Sequence, residues 1–404
     1  MKLLFIFFYI LFFCSTSSAS YSDEGLSDAL LNAQKLNLGS QTKWYALLHF
    51  ESGVFFSGSS IINERFFLSS KGQQDPSEEL KATITAFFKF PNSQCRFPAR
   101  LMWFKTVMPH ANFPVIECSK YTAYINRFTT NSISVVYASG YLGNPASMFG
   151  HVLLKFNGDS GSNELLDNTY SYGATVPEND NKLTYIYKGI TGGYQGHFAN
   201  QKYHHQNLTY TESELRDLWE YRLKLTQDDI DLLLAHLWEI ENTSMTYYFF
   251  KENCGYQLAK LLEIVINKPL LAPNKSWVMP YDLVMMLNKP ETNKYIDEVI
   301  YHGSRQQDLY TRFNQLTEQE KQSLDNIIST HSEQTVELLR TLNEKSEKKV
   351  IDTMYDYYAF IDVKNDGLTD EQSTKKKLLL TERFNLPAEK LQWKKANKQP
   401  PHKA

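Results

Sequence analysis

The sequence predicts an α+β fold in which an antiparallel meander precedes a helix that opens on a cysteine, with further helices after it. Three observations predict it. Ser132–Ala138 (SISVVYA), Gly150–Phe156 (GHVLLKF) and Glu164–Ala174 (ELLDNTYSYGA) are β-rich runs separated by Gly, Ser, Asn and Asp. Tyr247–Leu262 (YYFFKENCGYQLAKLL) passes from an aromatic run through a polar turn into Leu258, Leu261 and Leu262 at helical spacing. Thr211 with Glu214, and Thr317 with Glu320, have the spacing of helix-capping boxes.

At 404 residues, with 42% hydrophobic and 22% charged, the chain suffices for two or three domains with a real core. A net charge of −3 gives no reason to expect a nucleic-acid partner. The 25 Tyr and 25 Phe can line grooves for sugars or lipids, or fill cores.

Met1–Ser20 reads as a signal peptide: Lys2, an apolar run Leu3–Phe13, then small residues Ser17–Ala19. That run is too short for a stable transmembrane helix and none later reaches its length, so the expectation is an exported chain that is not integral through a helix. Phe13 before Cys14 argues against lipidation. Cleavage leaves Cys95, Cys118 and Cys254. An oxidising compartment favours pairing, and Cys95 and Cys118 lie in one segment, so they are expected to form a disulfide. Cys254 is then the odd thiol.

Taken in order, residues 21–130 form a mixed N-terminal α/β domain. Leu26–Leu36 reads as a helix, Trp44–Phe56 and Phe66–Ser70 as short strands, and Lys120–Phe128 as a short helix. Arg96 and Arg100 suit an anionic ligand or structural ion pairs, and ion pairs are the commoner fate. Residues 131–290 hold the meander and the cysteine helix. A hairpin turning about Ser160 or Gly161 sets His151 opposite Thr169 or Ser171. Leu183–Phe198, with its four glycines, reads as a tight loop, and no phosphate-loop frame surrounds it. His197, His204 and His205 match no zinc spacing, so no metal or organic cofactor is expected. Helices are expected from Thr211 to about Leu223 and from Thr226 to Glu241, and a further short element over Val278–Leu287. Residues 291–380 read as a helical region, beginning with a transition over Glu298–Ser304, and 381–404 as a flexible polar tail.

A helix start directs free N–H groups and a positive dipole end at Cys254, a setting that lowers a thiol pKa. With His151 on an adjoining strand, this is the minimum for cysteine-based acyl transfer. The N–H of Cys254 and the Asn253 side chain are the candidate oxyanion donors. Ser171, Thr169 or Asn168 is the candidate to orient the imidazole. The bland reading is a buried structural cysteine. Papain-type enzymes run Cys then His. The reversed order here implies a circularly permuted arrangement.

Several ordered motifs carry a resemblance: ASMFGHVLLKF (Ala146–Phe156), LLDNTYSYGA (Leu165–Ala174), GITGGYQGHF, ELRDLWEYRLKLT (Glu214–Thr226) and YYFFKENCGYQLAKLLE (Tyr247–Glu263). Together with CRFPARLMW (Cys95–Trp103), they resemble the N-terminal periplasmic domain family of the lipoprotein intramolecular transacylase, Lnb. The order of His and Cys is also similar to permuted papain-like enzymes of the lecithin:retinol acyltransferase type. The resemblance implies His151 and Cys254 as catalytic residues, an acyl-thioester intermediate and a lipid or lipoprotein acyl donor. This chain has Ser171 where many relatives carry Asn. Two other readings stand beside it: an amidase or peptidase on peptidoglycan peptides, and a non-catalytic envelope binding or assembly module.

Overall fold

The computed structural model describes residues 18–403, apart from 54–56, 144–146, 159–162, 267, 273–276 and 389–390. Most of the expected signal peptide, with Cys14, lies outside the described residues. The chain forms two compact units. One holds the residues up to Ile125 together with Ala235–Ile240. The other holds Asn126–Leu234 and the chain from Glu241 onward.

The first unit is mainly helical: α1 (Ser18–Lys35), α2 (Thr42–Leu47), α3 (Pro76–Lys89), α4 (Pro98–Val107) and α5 (Ser119–Ile125), with a two-stranded sheet of β1 (Phe50–Ser52) and β2 (Ser57–Ser59). Of the short strand runs expected over Trp44–Phe56, Phe50–Ser52 is strand β1, residues 44–47 belong to helix α2, which buries Trp44 and Leu47, and 54–56 lie outside the described residues. Phe66–Ser70 is not a strand, because Glu64–Phe66 winds into a 3₁₀ turn capped by Asn63. Cys95 and Cys118 form the expected disulfide. Arg100 is fully buried and held within this unit. It donates to Glu79 at 2.6 Å and to the Phe66 carbonyl at 2.8 Å, and its guanidinium stacks on Phe97. Its backbone N–H donates to Glu239. Arg100 therefore takes the structural reading.

The second unit is built on a seven-stranded antiparallel sheet. Its strands are β3 (Ser132–Ala138), β4 (His151–Asn157), β5 (Asn168–Ala174), β6 (Tyr194–Lys202), β7 (Leu218–Leu223), β8 (Met245–Tyr247) and β9 (Ile296–His302). The spatial order is β8-β6-β5-β4-β3-β7-β9. The meander β3-β4-β5 stands as the β-rich runs predict, except that Glu164–Leu166, expected to open the return strand, is a 3₁₀ turn. Helix α6 (Lys182–Thr191) follows β5, α7 (Tyr203–Asn207) follows β6, and α8 (Gln227–Ile240) follows β7. Thr226 and Asp229 cap α8 reciprocally. Helix α9 (Cys254–Ile266) packs on β4 and β5, and α10 (Pro280–Leu287) packs beside it. Helices α11 (Arg305–Phe313), α12 (Glu318–Ser329), α13 (Thr335–Arg340), α14 (Glu344–Asn365) and α15 (Asp370–Asn385) follow. They enclose a core that includes Leu324, Ile327, Val350, Ile351 and Met354.

Four expectations are corrected here. The helix expected over 211–223 is a π-helical turn, Leu208–Ser213, followed by strand β7. Leu218–Leu223 (LWEYRL) is pinned between β3 and β9, and pairing on both sides overrides helix propensity. The Thr211 hydroxyl donates instead to the Asn207 carbonyl. The glycine-rich loop over Leu183–Phe198 is helix α6 and strand β6. Asn181 caps α6, and Gly192 ends it in the left-handed region at φ 79°. The transition expected at Glu298–Ser304 belongs largely to β9. The polar tail is not loose: Tyr281 donates to the Pro401 carbonyl at 3.0 Å, Tyr221 meets His402 at 3.0 Å and Lys398 pairs with Asp217 at 2.7 Å.

Candidate functional site

Cys254 is the first residue of α9 and the free cysteine among the described residues. Asn253 makes the helix start there. Its side-chain oxygen accepts from the N–H of Gly255 at 3.0 Å and of Tyr256 at 3.3 Å, while its amide donates to the carbonyls of Phe249 (2.9 Å) and Val278 (2.6 Å). This corrects the expectation of Asn253 as an oxyanion donor, because both amide hydrogens are engaged. Asn253 is instead a positioning residue that joins the loop before Cys254, α9 and the segment before α10.

Strand β4 brings His151 to the same region. The backbone N–H groups of Val152, Gly255 and Cys254 act on the Cys254 sulfur. The thiol therefore lies against the residue that follows His151. Gly150 sets the entry to the strand at φ 92°, where a Cβ would come within 2.7 Å of the Ala138 carbonyl. His151 pairs with Ala138 across the β3–β4 ladder. Its ring lies 5.8 Å from the Tyr210 ring.

Sequence reasoning missed Arg216. It is buried, donates to the carbonyls of Ser139 (2.6 Å) and Ala138 (3.1 Å), pairs with Glu214 at 2.7 Å and stacks over Tyr210 at 4.7 Å. Arg216 thus grips the backbone opposite His151 and the ring beside it. The signal available was a buried-type arginine just ahead of an aromatic strand, but linking it to His151 required the β3–β7 pairing.

The electrostatics correct one further expectation. Burial pushes the Cys254 thiol up to about 11, although the backbone N–H groups and Arg216 pull it down. A helix start alone would lower it, but desolvation outweighs that pull. Burial, with Arg216 second, pushes His151 down to about 3. At neutral pH the pair is therefore a neutral thiol and a neutral imidazole.

The hairpin register also differs from expectation. Leu153 faces Ser171, Lys155 faces Thr169 and Phe156 faces Asn168. Ser171 thus shares the face of His151 but stands opposite Leu153. Thr169 lies further along and donates to the Gln201 carbonyl. Asn168 lies on the other face and donates to the Arg127 carbonyl. Thr169 and Asn168 are therefore removed as orienting groups. Among the described residues, no side chain hydrogen-bonds to the His151 ring.

A cavity of about 320 Å³ opens beside the site, lined by Tyr137, Met148, Phe149, Trp277, Met279 and Tyr281. Tyr137 also lies in the electrostatic field of Cys254. The histidines 197, 204 and 205 are held locally: His197 meets Thr175, His204 meets the Leu165 carbonyl and the His205 ring lies tilted against His204. Among the described residues, no cluster of three or more potential ligands is arranged for a metal ion.

Fold and site together define an α+β domain whose buried thiol, at a helix start, abuts a histidine-bearing strand. The family model of the Lnb N-terminal periplasmic domain matches residues 120–289, which contain both residues, and this segment belongs to that family. A domain of unknown function, DUF7843, matches residues 36–107. No curated protein and no solved structure matches the chain. Among the described residues, no helix is long and apolar enough to cross a membrane.

Proposed function

We propose that the second unit is a cell-envelope cysteine acyltransferase or hydrolase, built on a permuted papain-like core and acting on lipoprotein or phospholipid acyl groups. The observation that carries this reading is the approach of the Cys254 sulfur to the Val152 amide, next to His151. The periplasmic family of residues 120–289 supports the envelope setting. His151, neutral at physiological pH, takes the thiol proton as the sulfur attacks the acyl carbonyl. The tetrahedral oxyanion collapses, the leaving group takes the proton from His151 and an acyl thioester remains on Cys254. An amine or a water then attacks the thioester, which separates transferase from hydrolase. Arg216 supplies a fixed positive charge to a site that acquires a negative one. The N–H of Cys254 is the remaining oxyanion donor, and Ser171 the remaining candidate for contact with the ring. The cavity beside Tyr137, walled mainly by apolar and aromatic side chains with Asp282 among them, favours an acyl chain over a muropeptide in this reading, and peptidoglycan is the second reading.

Incubation with a diacylated lipopeptide, followed by intact-mass analysis, tests the reading. The expected result is an acyl adduct on Cys254 that is absent in Cys254→Ala. An adduct formed only from muropeptides assigns the peptidase reading. No adduct from either substrate assigns a non-catalytic module.

A further inference from the structure

Helix α6 carries an apolar stripe that is exposed among the described residues. Leu183, Ile186, Tyr187 and Ile190 follow the i, i+3, i+4, i+7 pattern that normally faces a core. Here they are 80%, 38%, 69% and 49% exposed. The opposite face holds the helix rigidly to the loop before Cys254. Tyr185 packs on Phe249 at 4.9 Å, and the Phe249 N–H donates to the Gly189 carbonyl at 2.8 Å. A Cβ at Gly189 would sit 2.2 Å from the Phe249 ring, so only glycine permits this approach.

A second exposed apolar group borders the same loop. Phe250 stacks on Trp277 at 4.4 Å, Phe149 meets both rings, and Trp277 is 50% exposed. The exposed stripe and the exposed aromatics therefore flank one loop, the one that leads into Cys254. Around α6 lysine is in slight excess, with Glu178 and Asp180 just before the helix. Residues 181–202 contain Lys182, Lys188 and Lys202 and no Asp or Glu, and Lys188 pairs back to Asp180.

We propose that α6, with the Phe149 and Trp277 side chains, docks the second unit onto an anionic lipid surface. Leucine and isoleucine side chains enter the acyl boundary, Tyr187 and Trp277 place apolar bodies and polar tips at its edge, and the lysines meet the headgroups. A second copy of the chain is a poorer occupant. A ten-residue helix is about 15 Å long, and one stripe of it falls far short of the roughly 800 Å² per partner of a stable dimer. That this face delivers an acyl substrate to Cys254 rests on the reading above; the lipid contact does not.

Co-sedimentation of the full chain with phosphatidylglycerol and phosphatidylcholine vesicles tests the proposal. The wild type is expected to sediment with phosphatidylglycerol vesicles, less with phosphatidylcholine, and less as salt rises. Leu183→Ser/Tyr187→Ser is expected to bind about tenfold more weakly or worse with an unchanged melting temperature, since both side chains are exposed. Phe384→Ser, which removes an exposed phenylalanine elsewhere, is expected to bind as wild type. Cys254→Ala is also expected to bind as wild type, so loss of catalysis and loss of docking are read separately. The proposal is overturned if the wild type stays in the supernatant, if the double variant sediments equally well, or if Phe384→Ser loses as much. Self-association that the double variant abolishes, without vesicle binding, assigns the stripe to a second copy.

Discussion

The backbone N–H of Val152 acts on the sulfur of Cys254, so the first residues of β4 and the first residue of α9 share one site. Two features of the local backbone enforce this. Gly150 turns the chain into β4 through a left-handed conformation, and Asn253 ties the start of α9 to two carbonyls outside it. Arg216 then fixes the neighbouring strand and the Tyr210 ring.

The first prediction concerns the free thiol. With burial holding Cys254 at about 11, alkylation by iodoacetamide is expected to be slow at neutral pH and to rise toward that value. An ordinary thiol has its midpoint near ~8.5. Arg216→Met removes the nearby positive charge and is expected to move the midpoint higher still. A wild-type midpoint at or below 8.5 would contradict the neutral pair.

The second concerns the base. His151 at about 3 is already neutral throughout the physiological range. The acid limb of kcat/KM is therefore expected well below pH 5, and the profile should stay flat between pH 5 and 7. An acid limb centred near ~6.5 would mean that the imidazole titrates as an ordinary histidine. His151→Gln is expected to lower kcat by about 10²-fold or more.

The third concerns the turn. In Gly150→Ala, the Cβ meets the Tyr137 ring at 2.6 Å and the Ala138 carbonyl at 2.7 Å, at a φ that alanine rarely adopts. A stability loss of about 1–3 kcal/mol is expected in chemical denaturation, with reduced activity because His151 follows directly. Unchanged stability would show that the turn relaxes freely.

These three positions show what the sequence made legible. The meander, the Cys95–Cys118 pairing and the start of α9 rest on local signals: alternation, cysteine arithmetic and an Asn before a leucine-periodic helix. Strand β7 was not legible, because Leu218–Leu223 becomes a strand only between β3 and β9. Arg216 was hidden for the same reason, since its carbonyl partners belong to the end of β3. The thiol pKa was misjudged because a helix start is visible in sequence and burial is not. The hairpin register depended on where the turn falls, and a two-residue shift moved Ser171 from opposite His151 to opposite Leu153.

The fourth prediction concerns acid stability. Glu220, on β7, is buried with Lys155 at 3.1 Å, His302 at 3.1 Å and the Ser134 hydroxyl at 2.7 Å. Burial alone would raise its pKa, but the His302 hydrogen bond, Lys155 and Ser134 together bring it to about 2, against an ordinary 4.5. A depressed carboxylate contributes stability above its unfolded value and loses it as pH falls through the folded one. The difference in stability between wild type and Glu220→Gln is expected to be about 3 kcal/mol or more at pH 7 and to shrink from pH 4.5 toward 2. A constant difference across that range would rule out Glu220 as its source.

The last prediction separates stability from function one turn beyond Cys254. Gln257 is fully buried in α9, and among the described residues neither atom of its side-chain amide has a hydrogen-bond partner. An unmade pair of this kind costs about 1–3 kcal/mol, and an apolar side chain of similar shape removes that cost. Gln257→Met is therefore expected to raise the unfolding free energy by about 1 kcal/mol or more in chemical denaturation. If the amide serves only the fold, thioester formation on Cys254 survives in the stabilised variant. If the amide is kept for an acyl carbonyl that approaches the thiol, stability rises while adduct formation falls, because the buried donor then lacks its partner only in the empty site. A stability loss in Gln257→Met would show instead that a water molecule already satisfies the amide.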